Sequence, residues 1–342
     1  MAPKKQAGEE RDGVSLSSLD SPLFDGGDAT KRDLVDYLDA MSDRLVPVLR
    51  DRPLSVIRVR PGQDPFMQKN LPKYTPSWVQ TVPVWAEASK REVTYGLCND
   101  RRTLLWFANQ RAVEYHVTLA RAGHWDKPSY LVLDIDPPAP DERPEARGVR
   151  GVRGVAPPRA STAFGLAVRA AQLVHQALAD LDLAGAVKTS GAKGLHIFVP
   201  LTSEETSENA AAATRAIAIR AERIDPELAT TAFIKEDRHG KVFLDSTRSF
   251  GATVAAAYSP RIRPGTPVSF PVSWDELPNV TPADFTIRTA LGLIGDTDPW
   301  ADLMPAAKPL PTDLVEEGHT IPVARVQAMH EGKRRARERR AQ

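Results

Sequence analysis

The chain has 342 residues, 42% hydrophobic and 26% charged, and Lys+Arg 45 against Asp+Glu 44 leave a formal net charge of +1. That composition supports a buried core and leaves any nucleic-acid or membrane surface to the distribution of charge, since the total gives no push. One cysteine, Cys98, excludes an internal disulfide and a Cys-rich zinc site, and the absence of a long apolar run or an N-terminal apolar segment predicts a soluble cytoplasmic protein with no membrane partner.

Residues 1–29 are polar and rich in Gly, Ser and Asp, and read as a flexible lead-in. Thr30 with Asp33 three residues on is a capping box, and Leu34, Leu38, Met41, Leu45 and Leu49 then form one helical stripe. Leu54–Arg60 alternates like a strand and Pro61-Gly62 ends it. A short strand over 93–98 and a helix start at 103–107 follow. Tyr130–Asp136 is the clearest strand, stopped by Pro137-Pro138. A Pro/Arg loop over 139–160 carries the repeat Arg147-Gly-Val-Arg150-Gly-Val-Arg153-Gly-Val.

Beyond it the pattern predicts a helix over 162–181, a strand–glycine turn–strand over 187–201, an Ala-rich helix over 208–223 and a strand over 241–245. Pro282 behind Thr281, with Asp284, starts another capped helix. Residues 301–342 read as a Pro-rich and then basic tail. Strands and helices interleave without a regular βαβ rhythm, so the expected fold class is α+β. Neither a dinucleotide fingerprint nor a P-loop is present.

Four features carry chemistry. Asp134 and Asp136 lie two apart on a strand and project from one face, about 7 Å apart along the chain. Their oxygens, at the end of a buried strand, suit hard cations. The same spacing at Asp180–Asp182 and Asp296–Asp298 falls at a helix end and before a proline, where capping explains it. The turn Ser190-Gly-Ala-Lys193-Gly-Leu-His196 groups a hydroxyl, a charge and an imidazole around two glycines, as an anion nest would. Asp245 ends another strand and is a candidate third carboxylate. Arg261 and Arg263, spaced by two, offer guanidinium forks for phosphate on one face. Together these are the parts for metal-dependent chemistry on a nucleoside triphosphate.

The chain also resembles the polymerase domain of bacterial ligase D, a branch of the archaeo-eukaryotic primase superfamily. The likeness runs from about residue 30 to 300. It rests on Arg52-Pro-Leu54, Phe66-Met-Gln-Lys69, Glu114-Tyr-His116, Leu133-Asp-Ile-Asp-Pro137, Thr189-Ser-Gly-Ala-Lys-Gly-Leu-His196, Gly240-Lys-Val-Phe-Leu-Asp245, Tyr258-Ser-Pro-Arg261 and Pro267-Val-Ser-Phe-Pro-Val-Ser-Trp274. The resemblance implies a primase-polymerase core with an N-terminal module over 30–128 and a catalytic module over 129–300. It implies template-directed nucleotidyl transfer with two Mn²⁺ or Mg²⁺ ions held by Asp134, Asp136 and Asp245. By the same likeness Ser190, Lys193, His196 and Arg261 bind an incoming NTP or dNTP, with ribonucleotides preferred. His116 lies near its sugar, Phe66 stacks on the base and Lys69 sits beside it. DNA contacts are expected of Lys31 and Lys73, while the Arg147, Arg150 and Arg153 repeat looks like an insertion after the metal acids, either a disordered basic loop or a template or primer clamp. A 5′-phosphate across a short gap would be met by one of Lys31, Lys69 and Lys73.

Two departures stand out. Met67 occupies a position where the family often has a second phenylalanine, and Asp245-Ser-Thr-Arg248-Ser249 replaces the usual Asp-Tyr-x-x-Asn. No Lys-x-Asp-Gly segment of the ATP-dependent ligase kind occurs, so the sequence predicts a stand-alone, monomeric, nucleoid-associated gap-filling polymerase served by a DNA ligase in trans. An end-joining polymerase, a de novo primase and a non-catalytic DNA-end binder are the alternatives.

Overall fold

The computed structural model describes residues 9–86, 90–139, 162–249 and 251–323. From residue 9 onward the N-terminal segment is part of the fold rather than a flexible lead-in. Strands β1 (Glu10–Arg11) and β2 (Val14–Ser15) form a hairpin, and Val14, Leu16, Leu19, Leu23 and Phe24 enter the core. Those five apolar residues are scattered through polar sequence, so composition hides them.

The capping box of Thr30 and Asp33 opens α1 (Lys31–Ala40) as expected. The single predicted stripe is carried by two helices, because the chain turns at Met41 and restarts as α2 (Ser42–Leu49). Leu34, Leu38, Met41, Leu45 and Leu49 are nonetheless all fully buried. Next come β3 (Leu54–Arg60), β4 (Gln63–Gln68), β5 (Thr81–Ala86) and β6 (Arg91–Gly96). Helix α3 (Arg101–Asn109), capped by Asp100, and β7 (Ala112–Thr118) complete this part.

Strand β8 (Tyr130–Asp136) has its predicted bounds, and α4 (Ala163–Ala179) starts at its Thr162 cap. The predicted hairpin is β9 (Ala186–Thr189) and β10 (Leu195–Pro200), and the Ala-rich helix is α5 (Ser207–Ile224). After β11 (Ala229–Thr230) come β12 (Val242–Asp245), β13 (Thr253–Ala255) and β14 (Pro271–Val272). Thr281 and Asp284 do form a capping box, but over a single 3-10 turn, Pro282–Asp284. The backbone then extends because Phe285 O accepts from Val268 N and Thr286 bridges Pro267. Short helices α6 (Ala290–Ile294) and α7 (Pro299–Leu303) precede α8 (Thr312–Thr320).

Two mixed layers result, so the fold is α+β. One sheet runs β13-β7-β3-β6-β5 with β4 also on β3, and the other runs β11-β12-β8-β10-β9-β14. Strand β13 comes from the C-terminal half yet pairs with β7, so a boundary at 128/129 does not separate the sheets in space. One continuous hydrophobic core joins them. Asp180 and Asp298 prove to be a helix C-cap and an N-cap, which accounts for both of the other Asp-x-Asp pairs.

Residues 301–323 are likewise built in rather than a loose tail. Leu314 of α8 is fully buried, Arg220 donates to Glu317 at 2.8 Å, and Arg215 donates to the Gly318 carbonyl at 3.0 Å. A Cβ on Gly318 would lie 2.0 Å from the Ala212 carbonyl oxygen, so backbone packs on backbone there. Gly318→Ala is therefore expected to destabilise by about 1–3 kcal/mol through overpacking, although alanine alone favours a helix over glycine by about 1 kcal/mol. A lowered melting temperature with faster proteolysis near residue 310 checks this; an unchanged one contradicts the close approach.

Candidate active site

Strand register builds the centre of the site. Asp245 on β12 faces Asp134 on β8, Asp134 faces His196 on β10, and His196 faces Lys188 on β9. Four chemistry-bearing side chains thus form one cross-strand row. Asp136 is two residues from Asp134, hence on the same face, where β8 opens toward solvent. Oxygens of Asp134, Asp136 and Asp245 all lie within 4.8 Å of one another.

Each carboxylate is differently supported. Asp245 Oδ1 accepts from Thr247 N at 2.8 Å and Thr247 Oγ1 at 2.6 Å. Arg248 Nε stands 3.1 Å from Asp134 Oδ2 and 3.2 Å from Asp245 Oδ2. Burial pushes the Asp134 carboxyl up, but His196 and Arg248 outweigh it and hold the group below its ordinary value. Asp136 has no such relief: burial, then the charges of Asp134 and Asp245, raise it to about 7. Three crowded, hard oxygen donors with one carboxyl poorly compensated fit a divalent cation such as Mg²⁺ or Mn²⁺.

Lys188 is fully buried. Its Nζ lies 2.7 Å from His196 Nδ1 and donates to Ser269 Oγ at 2.6 Å, while Ser269 Oγ donates to the Thr189 carbonyl at 2.8 Å. Burial, chiefly, drives Lys188 well below its ordinary value and lowers His196 to about 4. With Nδ1 accepting from Lys188, the Nε2 proton of His196 points toward Asp134 Oδ1, 3.4 Å away.

The turn between β9 and β10 differs from an open nest. Ala192 N and Gly194 N both donate to Ser190 Oγ at 3.2 Å, so this hydroxyl organises the turn. Gly194 is required by crowding, since a Cβ would meet the Ile135 carbonyl oxygen at 2.0 Å. Lys193 faces an open cavity of about 670 Å³ that is also lined by Asp136, Lys235, Arg238, His239 and Lys241.

Glu114 ties the second sheet to this turn. Its carboxylate meets His116 Nε2 at 2.9 Å and Arg261 Nε at 3.0 Å, and accepts from Ile262 N at 3.0 Å. Burial raises the Glu114 carboxyl, but His116, Arg261 and the Ile262 amide prevail and bring it to about 2. Arg261 Nη1 donates to the Ser190 carbonyl at 2.5 Å. The expected arginine pair therefore parts: Arg261 is partly buried in these interactions and Arg263 is exposed.

The remaining candidates fall elsewhere. Phe66, on β4, is flanked by Arg58 and Arg60 at 5.6 and 5.2 Å from its ring centre. Lys69 and Lys73 are exposed beyond that strand. Lys31 is excluded as a surface phosphate contact: it is 2% exposed, and its Nζ donates to Ser17 O and Asn109 Oδ1 at 2.6 Å each. Burial lowers it to about 8. Arg147, Arg150 and Arg153 lie outside the described residues. Ser249, at the family's usual asparagine, is buried and accepts from Val132 N at 2.9 Å and Thr214 Oγ1 at 2.8 Å, a tie between β8 and α5. Arg248, Lys188, Ser269 and Glu114 were not singled out as functional by the sequence; for Lys188, its place opposite His196 in a predicted hairpin was the available signal.

A carboxylate triad on strand ends, beside an imidazole and a cavity lined by Lys193, suits metal-dependent transfer of a nucleotidyl group. Residues 30–152 and 157–300 match the family model for the LigD primase-polymerase domain. The chain belongs to that family of DNA-directed nucleotidyltransferases. It is 32% identical over 286 residues to the bifunctional non-homologous end joining protein LigD of Bacillus subtilis, covering 82% of this chain and 42% of that protein. With the multifunctional LigD of Pseudomonas aeruginosa it shares 30% over 314 residues, 88% of this chain and 34% of the other. The chain thus spans between a third and a little over two fifths of these relatives. The structure matches the polymerase domain of Mycobacterium tuberculosis Ligase D in complex with DNA at a TM-score of 0.72 and 28% identity, covering 86% of this chain and 98% of that one. No helix among the described residues is long and apolar enough to cross a membrane.

Proposed function

We propose that this protein extends DNA 3′ ends on a template, filling short gaps bounded by a 5′-phosphate and preferring ribonucleotides, with an ATP-dependent ligase sealing the product in trans. The observation that carries the reading is the clustering of Asp134, Asp136 and Asp245 beside His196 and the Lys193 cavity. In the reaction the primer 3′-oxygen displaces pyrophosphate from the incoming triphosphate. Asp134, Asp136 and Asp245 would hold Mn²⁺ or Mg²⁺, which when bound polarises phosphate oxygens and offsets their charge.

The chain's own groups orient the nucleotide. Lys193 supplies charge at the cavity where a triphosphate would sit, and His196 offers its Nε2 proton at the edge of the carboxylates. Arg261 and His116, both fixed by Glu114, border the same site for phosphate and sugar. Phe66 offers a ring for base stacking, and Lys69 or Lys73 meets the 5′-phosphate, Lys31 being buried. Ser190 contributes by holding the turn shut.

End joining is the second reading, favoured by the names of the relatives. Primer extension with Mn²⁺ separates the two, using gapped duplexes with and without a 5′-phosphate, ends with short 3′ overhangs, and NTPs against dNTPs. Phosphate-dependent gap filling that favours NTPs is the expected result. Activity confined to paired overhangs would select end joining, and no extension on any primed substrate would overturn both.

A further inference from the structure

Arg248 stands among the acids, yet the proposed reaction gives it no task. It fills a position that the family's usual Asp-Tyr-x-x-Asn leaves open. Its placement is specific to individual oxygens. Asp134 Oδ1 faces His196 Nε2 at 3.4 Å, and Asp245 Oδ1 accepts from Thr247 N and Thr247 Oγ1. That leaves Oδ2 of each acid, and both of these lie on Arg248 Nε, at 3.1 and 3.2 Å. The oxygens best able to share a divalent cation are thus the two that a guanidinium already holds.

The residue is firmly held at its backbone and loosely at its tip. The backbone belongs to the 3-10 turn Thr247–Ser249, fixed by Thr247 N on Asp245 and by Ser249 Oγ between Val132 N and Thr214 Oγ1. The side chain is 38% exposed and lines a second cavity, of about 510 Å³, with Asp136, Asp245, Arg215 and Val323. A rotation of the side chain alone therefore carries the guanidinium out of the triad and into open space. It is not neutralised in place, because an arginine keeps its charge at any ordinary pH. A guanidinium and a divalent cation on the same two oxygens would repel each other at contact distance.

From these contacts we infer that Arg248 is a resident counter-cation of the carboxylate triad, and that a divalent cation bridges Asp134 and Asp245 only in molecules whose Arg248 has swung into the second cavity. The ligand class is a hard divalent ion such as Mn²⁺ or Mg²⁺. The inference rests on the polymerase reading only for the assignment of these acids to metal. Its consequence is a threshold for uptake. Where the binding-competent form is a fraction of the population, affinity is weakened by that fraction. An arginine seated in about 90–99% of molecules would lower Mn²⁺ affinity by about 10- to 100-fold.

The test is Mn²⁺ binding to the full chain without nucleotide, read from the electron paramagnetic resonance signal of free Mn²⁺. It compares the native protein with Arg248→Gln and Arg248→Lys. The glutamine variant should bind Mn²⁺ about 10- to 100-fold more tightly. Lysine keeps the charge and should stay within about threefold of native. Without metal, Arg248→Gln should melt lower than native, since three crowded carboxylates lose a counter-charge, and saturating Mn²⁺ should close that gap. Nitrogen-15 NMR with diamagnetic Mg²⁺ follows the arginine itself. The Arg248 Nε–H, held between two carboxylates, should exchange slowly with water in the metal-free protein and quickly once Mg²⁺ saturates the site.

Equal Mn²⁺ affinity in the native and Arg248→Gln proteins overturns the inference. So does an Nε–H signal that stays unchanged while Mg²⁺ binds, which would place the ion beside the arginine rather than in its stead. Tighter Mn²⁺ binding by Arg248→Gln, in a protein that extends no primer, sinks the polymerase reading and leaves the counter-cation standing. No Mn²⁺ bound by any of the three overturns both the inference and the assignment of the acids to metal.

Discussion

Asp134→Asn together with Asp136→Asn should abolish primer extension while leaving affinity for gapped DNA within about threefold. Asp134 is the hub of the row, beside Arg248 and His196 and opposite Asp245. Amide replacement keeps shape but removes two of three anionic donors. A bound cation contributes several kcal/mol to the transition state, and at about 1.4 kcal/mol per tenfold, a loss of about 4 kcal/mol is roughly a 10³-fold loss of rate. An equal fall in DNA binding would contradict the assignment of these acids to metal.

Asp136 adds a pH signature with a defined sign. Its carboxyl is raised to about 7 in the folded, metal-free protein, above its ordinary value of 3.8. Protonated Asp136 therefore favours the fold, and this contribution is lost as pH rises through about 7. The metal-free protein should melt at a lower temperature at pH 8 than at pH 6. Mn²⁺ should reverse that order, since a cation binds the ionised form. In Asp136→Asn the pH step should vanish, and a step that persists would place its origin elsewhere.

Lys188→Met should leave a folded protein that extends primers 10- to 100-fold more slowly, about the range seen when the group orienting an imidazole is removed. The lysine is fully buried behind His196. Its Nζ donates to His196 Nδ1, so the Nε2 proton faces Asp134. Without that donor the ring is free to protonate Nδ1 and turn an acceptor toward the acids. Nitrogen-15 NMR of His196 reads the tautomer directly in the resting protein. Slow extension with an unchanged Nε2–H signal would mean the loss comes from packing. Lys188→Arg is too large for the site and should not restore activity.

Local signals located much of this site. Alternation ending in two prolines placed Asp134 and Asp136 on one face of β8, and a short apolar strand before Asp245 placed the third acid. The groups that tune them were not legible, because their pairings are long-range: Arg248 lies 114 residues from Asp134, and Ile262 N lies 148 residues from Glu114. Lys31 shows the converse. It reads as a surface cation until the β1–β2 segment, apolar at irregular spacing, covers it. By residue type Ser190 is a candidate phosphate contact, and only the turn's closure shows its hydroxyl engaged with its own loop.

Glu114 has a mechanical consequence. Through Arg261 and the Ser190 carbonyl it bolts one sheet to the turn of the other, and with its carboxyl near 2 the bolt stays charged at any ordinary pH. The Ser190 turn and the His116 side chain are thereby pinned to one another through a single carboxylate. Under the proposed polymerase reading, an incoming nucleotide would meet a frame already braced by Glu114 before it arrives.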